Sequence, residues 1–233
     1  MNKKMTMRLT WQKRVKRFLF SMLVSRLFLR GSRSRVTRLS AEFVFRIKAN
    51  YPTANLFHSR EKLWRSFDHH LGNNEWVGFE FGVASGDSTK KFLRMPYFKN
   101  CAGWNGFDTF FGLPYEWGDL PKGAFSTNGI PPQIKNELIQ WHVGRIESTC
   151  KEISKLKNLD KNFLILFDFD LYSATKAAWD VIANYLKPGD IIYFDEAYEA
   201  DENQMIEEIL AKGDFSLEVI GYTTMGIAFR VGN

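Results

Sequence analysis

The sequence predicts a doubly wound, mostly parallel α/β sheet behind a basic N-terminal leader. Three observations carry this. Short β-type runs alternate with helical patterns from about residue 76 onward. The run Phe163–Phe169, FLILFDF, is apolar without alternation, as in a strand buried on both faces. All basic excess sits before residue 41. Residues 1–40 hold twelve Lys and Arg and no acid, whereas the remaining 193 hold 20 bases against 26 acids. The formal charge of +6 is therefore a +12 leader on a −6 body. The expected organisation is a leader over 1–40 and one domain over 41–233.

At 233 residues and 45% hydrophobic, the chain can bury a full core without disulfides. Two cysteines, Cys101 and Cys150, cannot build a disulfide framework or a cysteine-based zinc site. No apolar run approaches the roughly 18 residues of a membrane span. In the leader, Trp11, Val15, Phe18, Met22 and Leu29 recur at near-helical spacing, with Lys13, Arg14, Arg17 and Arg30 mostly on other faces. Such a helix can lie on an anionic membrane surface, or pack on the body or on a second copy of the chain. A secretory signal fits poorly because Arg26 interrupts the apolar stretch; an organelle transit peptide also fits the composition. The expected location is cytoplasmic, with peripheral membrane contact through the leader.

In order, the expected elements are helices over 41–49 and 59–71, then a strand over Trp76–Phe81 and a helix from Ser88 to Leu93. A strand over Cys101–Phe107 leads into a Gly- and Pro-rich loop from Thr109 to about Pro132. Strand Leu138–Val143 and helix Ile146–Leu156 follow. Strand Phe163–Phe169 precedes helix Ser173–Tyr185, which Lys187-Pro188-Gly189 stops. Strand Ile191–Phe194, helix Glu202–Ala211 and an antiparallel pair, Leu217–Tyr222 with Gly226–Val231, finish the chain.

In such folds ligands sit outside the carboxyl ends of the strands. After the first strand stand Glu80, Gly82, Gly86 and Ser88, a glycine loop into a helix start that suits a nucleotide-like ligand or an ordinary capped turn. Asp108 ends the second strand, where an acid can accept from a ribose diol or cap the loop. The fourth strand ends in Asp168-Phe169-Asp170 and the fifth in Asp195-Glu196. Four carboxylates at one edge repel unless a cation offsets them, and hard oxygen ligands suit Mg²⁺. Helix capping explains one acid per helix but not two pairs. Asp168 and Asp170 point the same way only if the strand continues through them.

The segments EFGVASGDS, FDTFFGLP, DFDLYSAT and PGDIIYFDEAY, in this order, resemble the macrocin O-methyltransferase family. These are class I sugar O-methyltransferases that use S-adenosylmethionine (SAM) and a metal ion. The resemblance runs from about Arg60 to Arg230 and leaves the leader out. It implies a seven-stranded Rossmann-like sheet with the last strand antiparallel, SAM and Mg²⁺ as cofactors, and a sugar or glycoconjugate acceptor. It implies that Glu80, Gly82, Gly86 and Ser88 hold the methionine part of SAM, Asp108 its ribose, and Gly144 and Arg145 its adenine. It makes Asp168, Asp195 and Glu196 the Mg²⁺ ligands and Asp170 the general base. Two positions depart from the family: Glu196 stands where Asp is usual, and Phe111 replaces the acid of FDSFEGLP, giving a more apolar loop.

Two further enzyme readings stay open. Asp168-x-Asp170 is also the DxD of metal-dependent glycosyltransferases, and a catechol-type O-methyltransferase shares the metal logic. A scaffold protein that keeps a degenerate methyltransferase fold is a third. The aromatics Phe110, Phe111, Tyr115, Trp117 and Phe125 give the 109–132 loop the make-up of a lid. His58, His69, His70 and His142 lack metal spacing. The body lacks bases interleaved with aromatics, so no nucleic-acid partner is expected.

Overall fold

The computed structural model describes residues 35–72 and 74–233. The leader helix expected within residues 11–30 lies outside them. Helix α1, Arg35–Asn50, starts earlier than expected and runs past residue 40. It buries Phe43 and Ile47, at helical spacing, against the body. Two short helices, α2 (Arg60–Ser66) and α3 (Asp68–Leu71), share the stretch read as one. Ser59 caps α2 by accepting from the Lys62 N–H at 3.3 Å.

The seven strands are β1 (Trp76–Phe81), β2 (Cys101–Asp108), β3 (Ile139–Val143), β4 (Asn162–Phe167), β5 (Ile191–Phe194), β6 (Leu217–Tyr222) and β7 (Ile227–Val231). Between them lie α4 (Asp87–Phe92), α5 (Ile146–Thr149), α6 (Tyr172–Ile182) and α7 (Ala200–Lys212). The helix expected over 146–156 is one α-turn followed by a 3₁₀ segment, Cys150–Lys155. Thr149 and Cys150 at the change are weak helix formers.

The sheet order is β3-β2-β1-β4-β5-β7-β6. Strands β1 to β5 pair in parallel, and β7 runs antiparallel to both β5 and β6. The order reverses direction between β1 and β4, which makes that junction the topological switch point.

Alternation along β1 loads both faces. Val77, Phe79 and Phe81 join the cluster under α1, α6 and α7, with Phe163, Phe167 and Ile206. Trp76 faces the opposite layer, with Trp64, Phe92, Tyr97 and Trp104. Each such ring contributes roughly 2–3 kcal/mol by leaving water. Asp190, fully buried before β5, accepts from the Phe163 N–H at 2.8 Å and from Asn162 Nδ2 at 3.0 Å, which pins the amino ends of β4 and β5.

Candidate active site

The carboxyl ends of four strands are laced by backbone bonds. Gly82 N–H donates to Phe107 at 3.0 Å, Asp168 N–H to Phe81 at 2.8 Å, and Asp195 N–H to Phe167 at 3.1 Å. This register brings the acids after β4 and β5 to one edge. One carboxylate oxygen from each of Asp168, Asp195 and Glu196 falls within 4.8 Å of the others. Burial, then Asp195 and Asp170, raise Asp168 well above the ordinary carboxylate range. Burial, then Asp168 and Asp195, push Glu196 up strongly too. Glu196 Oε2 is buried with no hydrogen-bond partner among the described residues. An orphaned carboxyl oxygen beside two more acids, all of which a bound cation would favour as carboxylates, fits a hard divalent cation.

Strand β4 ends at Phe167, and Asp170 has a left-handed backbone, φ +62°. Strand alternation therefore does not reach Asp170, which stands apart from the three-oxygen cluster. It is 8% exposed, and no side-chain hydrogen bond holds its carboxylate among the described residues. Burial, then Asp195 and Glu199, raise it to about 7. Such a group is poised to exchange a proton near neutrality.

Three residues of the cluster's surroundings are absent from the sequence reading. Arg60 Nη1 donates to Asp195 Oδ2 at 2.6 Å, with its guanidinium 5.4 Å from the Trp64 ring centre. The Tyr193 hydroxyl donates to Asp195 Oδ1. Burial and then Asp195 keep that hydroxyl protonated. Glu202, fully buried, accepts from the Glu196 N–H at 3.0 Å, while its Oε1 has no partner among the described residues. Its place with Met205, Ile206 and Ile209 on one helical stripe was a signal the sequence offered.

At the end of β1 the structure assigns the glycines a packing role. Gly82 has φ +94°, and a Cβ on it would overlap the Asp168 carbonyl. Gly86 has φ +72°, and a Cβ would lie 2.7 Å from Pro132. Both are needed for contacts within the chain. Glu80 is 1% exposed and accepts from the Ser88 and Thr89 hydroxyls and, at 2.9 Å, from Trp104 Nε1. Burial raises Glu80 to about 7, against the pull of those donors. Glu80 and Ser88 thus bond each other beneath the loop and do not face outward.

Asp108 is a clip between loops. Its Oδ2 accepts from the Val83 and Ala84 N–H groups, each at 2.8 Å, and its Oδ1 from Phe110 at 2.7 Å. A carboxylate has about four acceptor positions, so one remains for a further donor. Gly144 follows β3 and donates to the Asp108 carbonyl at 2.9 Å. Arg145 is exposed and paired with Glu147 at 3.2 Å, away from the cluster.

The loop after β2 folds on itself through Leu113–Ala124 and Phe110–Thr127 backbone bonds. Phe110 is fully buried, whereas Phe111, Tyr115 and Phe125 are exposed. His142 is buried, stacked on Phe107 at 4.3 Å and bonded to Asn105 at 3.2 Å, a packing role.

Comparison with solved structures matches this architecture across most of the chain. The calicheamicin methyltransferase CalS11 is 21% identical with a TM-score of 0.55, covering 91% of both chains. The fold is that of a class I methyltransferase. The O-methyltransferase NovP is 17% identical with a TM-score of 0.53, over 75% of this chain and 80% of that one. MycE, from the mycinamycin pathway and solved with Mg, SAH and mycinamycin VI, is 13% identical with a TM-score of 0.50. That match covers 87% of this chain and 56% of MycE. No protein-family model and no curated protein matches the sequence.

Proposed function

We propose that the chain is a SAM-dependent O-methyltransferase acting on a hydroxyl of a sugar or glycoconjugate, with Mg²⁺ assistance. The carrying observation is the convergence of Asp168, Asp195 and Glu196 within 4.8 Å, beside a separate, buried Asp170, at the carboxyl edge of this fold. Two proteins of similar fold support the substrate class. CalS11 is a TDP-rhamnose 3'-O-methyltransferase, and MycE was solved with Mg, SAH and mycinamycin VI.

In this reading Asp168, Asp195 and Glu196 hold the metal ion. The remaining acceptor position of Asp108 would accept from a ribose hydroxyl, and Gly82, Gly86, Gly144 and Arg145 would border the cofactor. When bound, SAM supplies the transferable methyl group and Mg²⁺ the Lewis acidity that eases loss of a hydroxyl proton. Asp170 takes that proton. Arg60 and Tyr193 fix the Asp195 carboxylate, and Glu202 fixes the backbone of Glu196. The loop after β2 shields the site from water, so that alignment contributes much of the rate.

The test is transfer of labelled methyl from SAM to a panel of nucleotide sugars and glycolipids, with and without EDTA. Transfer that chelation abolishes and Mg²⁺ restores is expected. Transfer indifferent to chelation removes the metal; binding of a nucleotide sugar without SAM favours the glycosyltransferase reading.

A further inference from the structure

Glu202 does not behave as an ordinary helix-capping acid. It is the third residue of α7, after the cap Glu199. An acid at that position usually turns back to the N–H of the cap residue. Here the Glu199 N–H goes instead to the Glu196 carbonyl at 2.8 Å. Glu202 reaches past the cap, and its Oε2 accepts from the Glu196 N–H at 3.0 Å. The backbone of Glu196 is thus held on both sides, by Glu199 and by Glu202.

Holding one N–H does not need a charge. A glutamine would do it without the cost of burying an acid. Glu202 is nonetheless fully buried. The two arginines of this edge are committed elsewhere, Arg35 to Glu199 and Arg60 to Asp195. Glu202 Oε1 has no hydrogen-bond partner among the described residues, and neither has Glu196 Oε2, so the two oxygens do not bond each other. Burial first, then the charges of Asp168, Asp195 and Asp170, raise the Glu202 carboxyl, which places it beside the cluster. It stands outside the three oxygens that come within 4.8 Å. An acid one layer outside a metal site commonly bonds a ligand of the metal. Mg²⁺ keeps several of its waters, and each is a polarised donor.

We propose that Glu202 is a positioning residue of the metal site. Its Oε1 accepts a hydrogen bond from a water carried by the bound cation, while its Oε2 holds the backbone of Glu196. The role rests on the metal reading of Asp168, Asp195 and Glu196, and extends that reading to a fourth acid outside the ligand set.

The experiment titrates the full chain with Mn²⁺, which takes the same oxygen donors as Mg²⁺, by calorimetry without SAM. Glu202→Gln keeps an acceptor for the Glu196 N–H and removes the charge. The dissociation constant for Mn²⁺ should rise about tenfold or more in the variant. The number of waters on Mn²⁺, counted by electron–nuclear double resonance, should stay the same. Unchanged affinity would mean that Glu202 only holds the backbone, and overturns the proposal. A gain of one bound water in the variant would make Glu202 a direct ligand, and also overturns it. Should the variant not fold, wild-type crystals soaked in Mn²⁺ decide, with the ion placed by anomalous scattering. A water on Mn²⁺ within hydrogen-bond distance of Glu202 Oε1 is expected; Oε1 on the ion itself, or turned to a protein donor, overturns the role. A wild-type chain that binds no Mn²⁺ removes the metal site and this role together, whereas equal binding by wild type and variant removes this role alone. None of these readouts needs methyl transfer, so the enzyme reading stands or falls separately.

Discussion

Arg60 reaches Asp195 at 2.6 Å, so the carboxylate cluster carries one fixed cation of its own. The Arg60 side chain is 40% exposed and that of Asp195 7%, which limits but does not abolish screening. Arg60→Met leaves Asp168, Asp195 and Glu196 to repel one another. The variant should lose about 1–2 kcal/mol without metal. The rise in melting temperature on adding Mg²⁺ should then exceed that of the wild type. Equal rises, measured by differential scanning calorimetry, remove the counter-ion role.

Asp170 is buried, lies outside the three-oxygen cluster and has no side-chain hydrogen bond among the described residues. Asp170→Asn keeps its shape and removes its basicity. Turnover should fall by about 10²-fold or more, while SAM affinity by calorimetry stays within a few-fold. Retained turnover would sink the base assignment.

Glu80 lies sealed beneath the loop with its carboxyl raised to about 7 from the ordinary 4.5. The folded state therefore binds this proton more tightly than the unfolded chain. Stability from Glu80 falls as pH rises through the window from 4.5 to about 7. Glu80→Gln keeps an acceptor for Trp104 and removes the titration. The free-energy difference between variant and wild type should move in the variant's favour from about pH 5 to pH 8, by at most about 3 kcal/mol. Urea unfolding at the two pH values measures it, and a constant difference contradicts the buried-acid account.

Gly82→Ala asks a Cβ to occupy the space of the Asp168 carbonyl at a positive φ. A loss of about 2 kcal/mol or more is expected. Gly103, with open space around it, is the control: Gly103→Ala should stay within about 1 kcal/mol. Equal losses in the two variants would show that Gly82 is not constrained by its neighbour.

Much of the architecture was legible because periodicity reports burial. Trp76–Phe81 and Ile191–Phe194 coincide with β1 and β5, and the alternation of strands and helices yields the sheet. The acids after β4 and β5 were legible because parallel strands share a carboxyl edge. Glu202 and Arg60 were not. Each is a charged residue on a helix; Glu202's place on the apolar stripe of α7 hints at burial but not at a partner, and only the folded chain shows it holding the Glu196 N–H and Arg60 crossing to Asp195. The glycines were read as a ligand loop or an ordinary turn; the structure adds close packing on Asp168 and Pro132, contacts 86 and 46 positions away in the chain that no local pattern encodes. Asp108 stood equally well as ribose acceptor or loop cap, and three backbone donors now occupy it.

The nesting of Gly82 against the Asp168 carbonyl has a thermodynamic corollary. The strand end that carries the glycine loop and the strand end that supplies an oxygen of the proposed metal site cannot shift independently. Occupancy of either side should therefore be felt as a change in affinity on the other, equal in both directions. An enzyme joined in this way favours ordered loading, with the second ligand meeting a partner that the first has already stiffened.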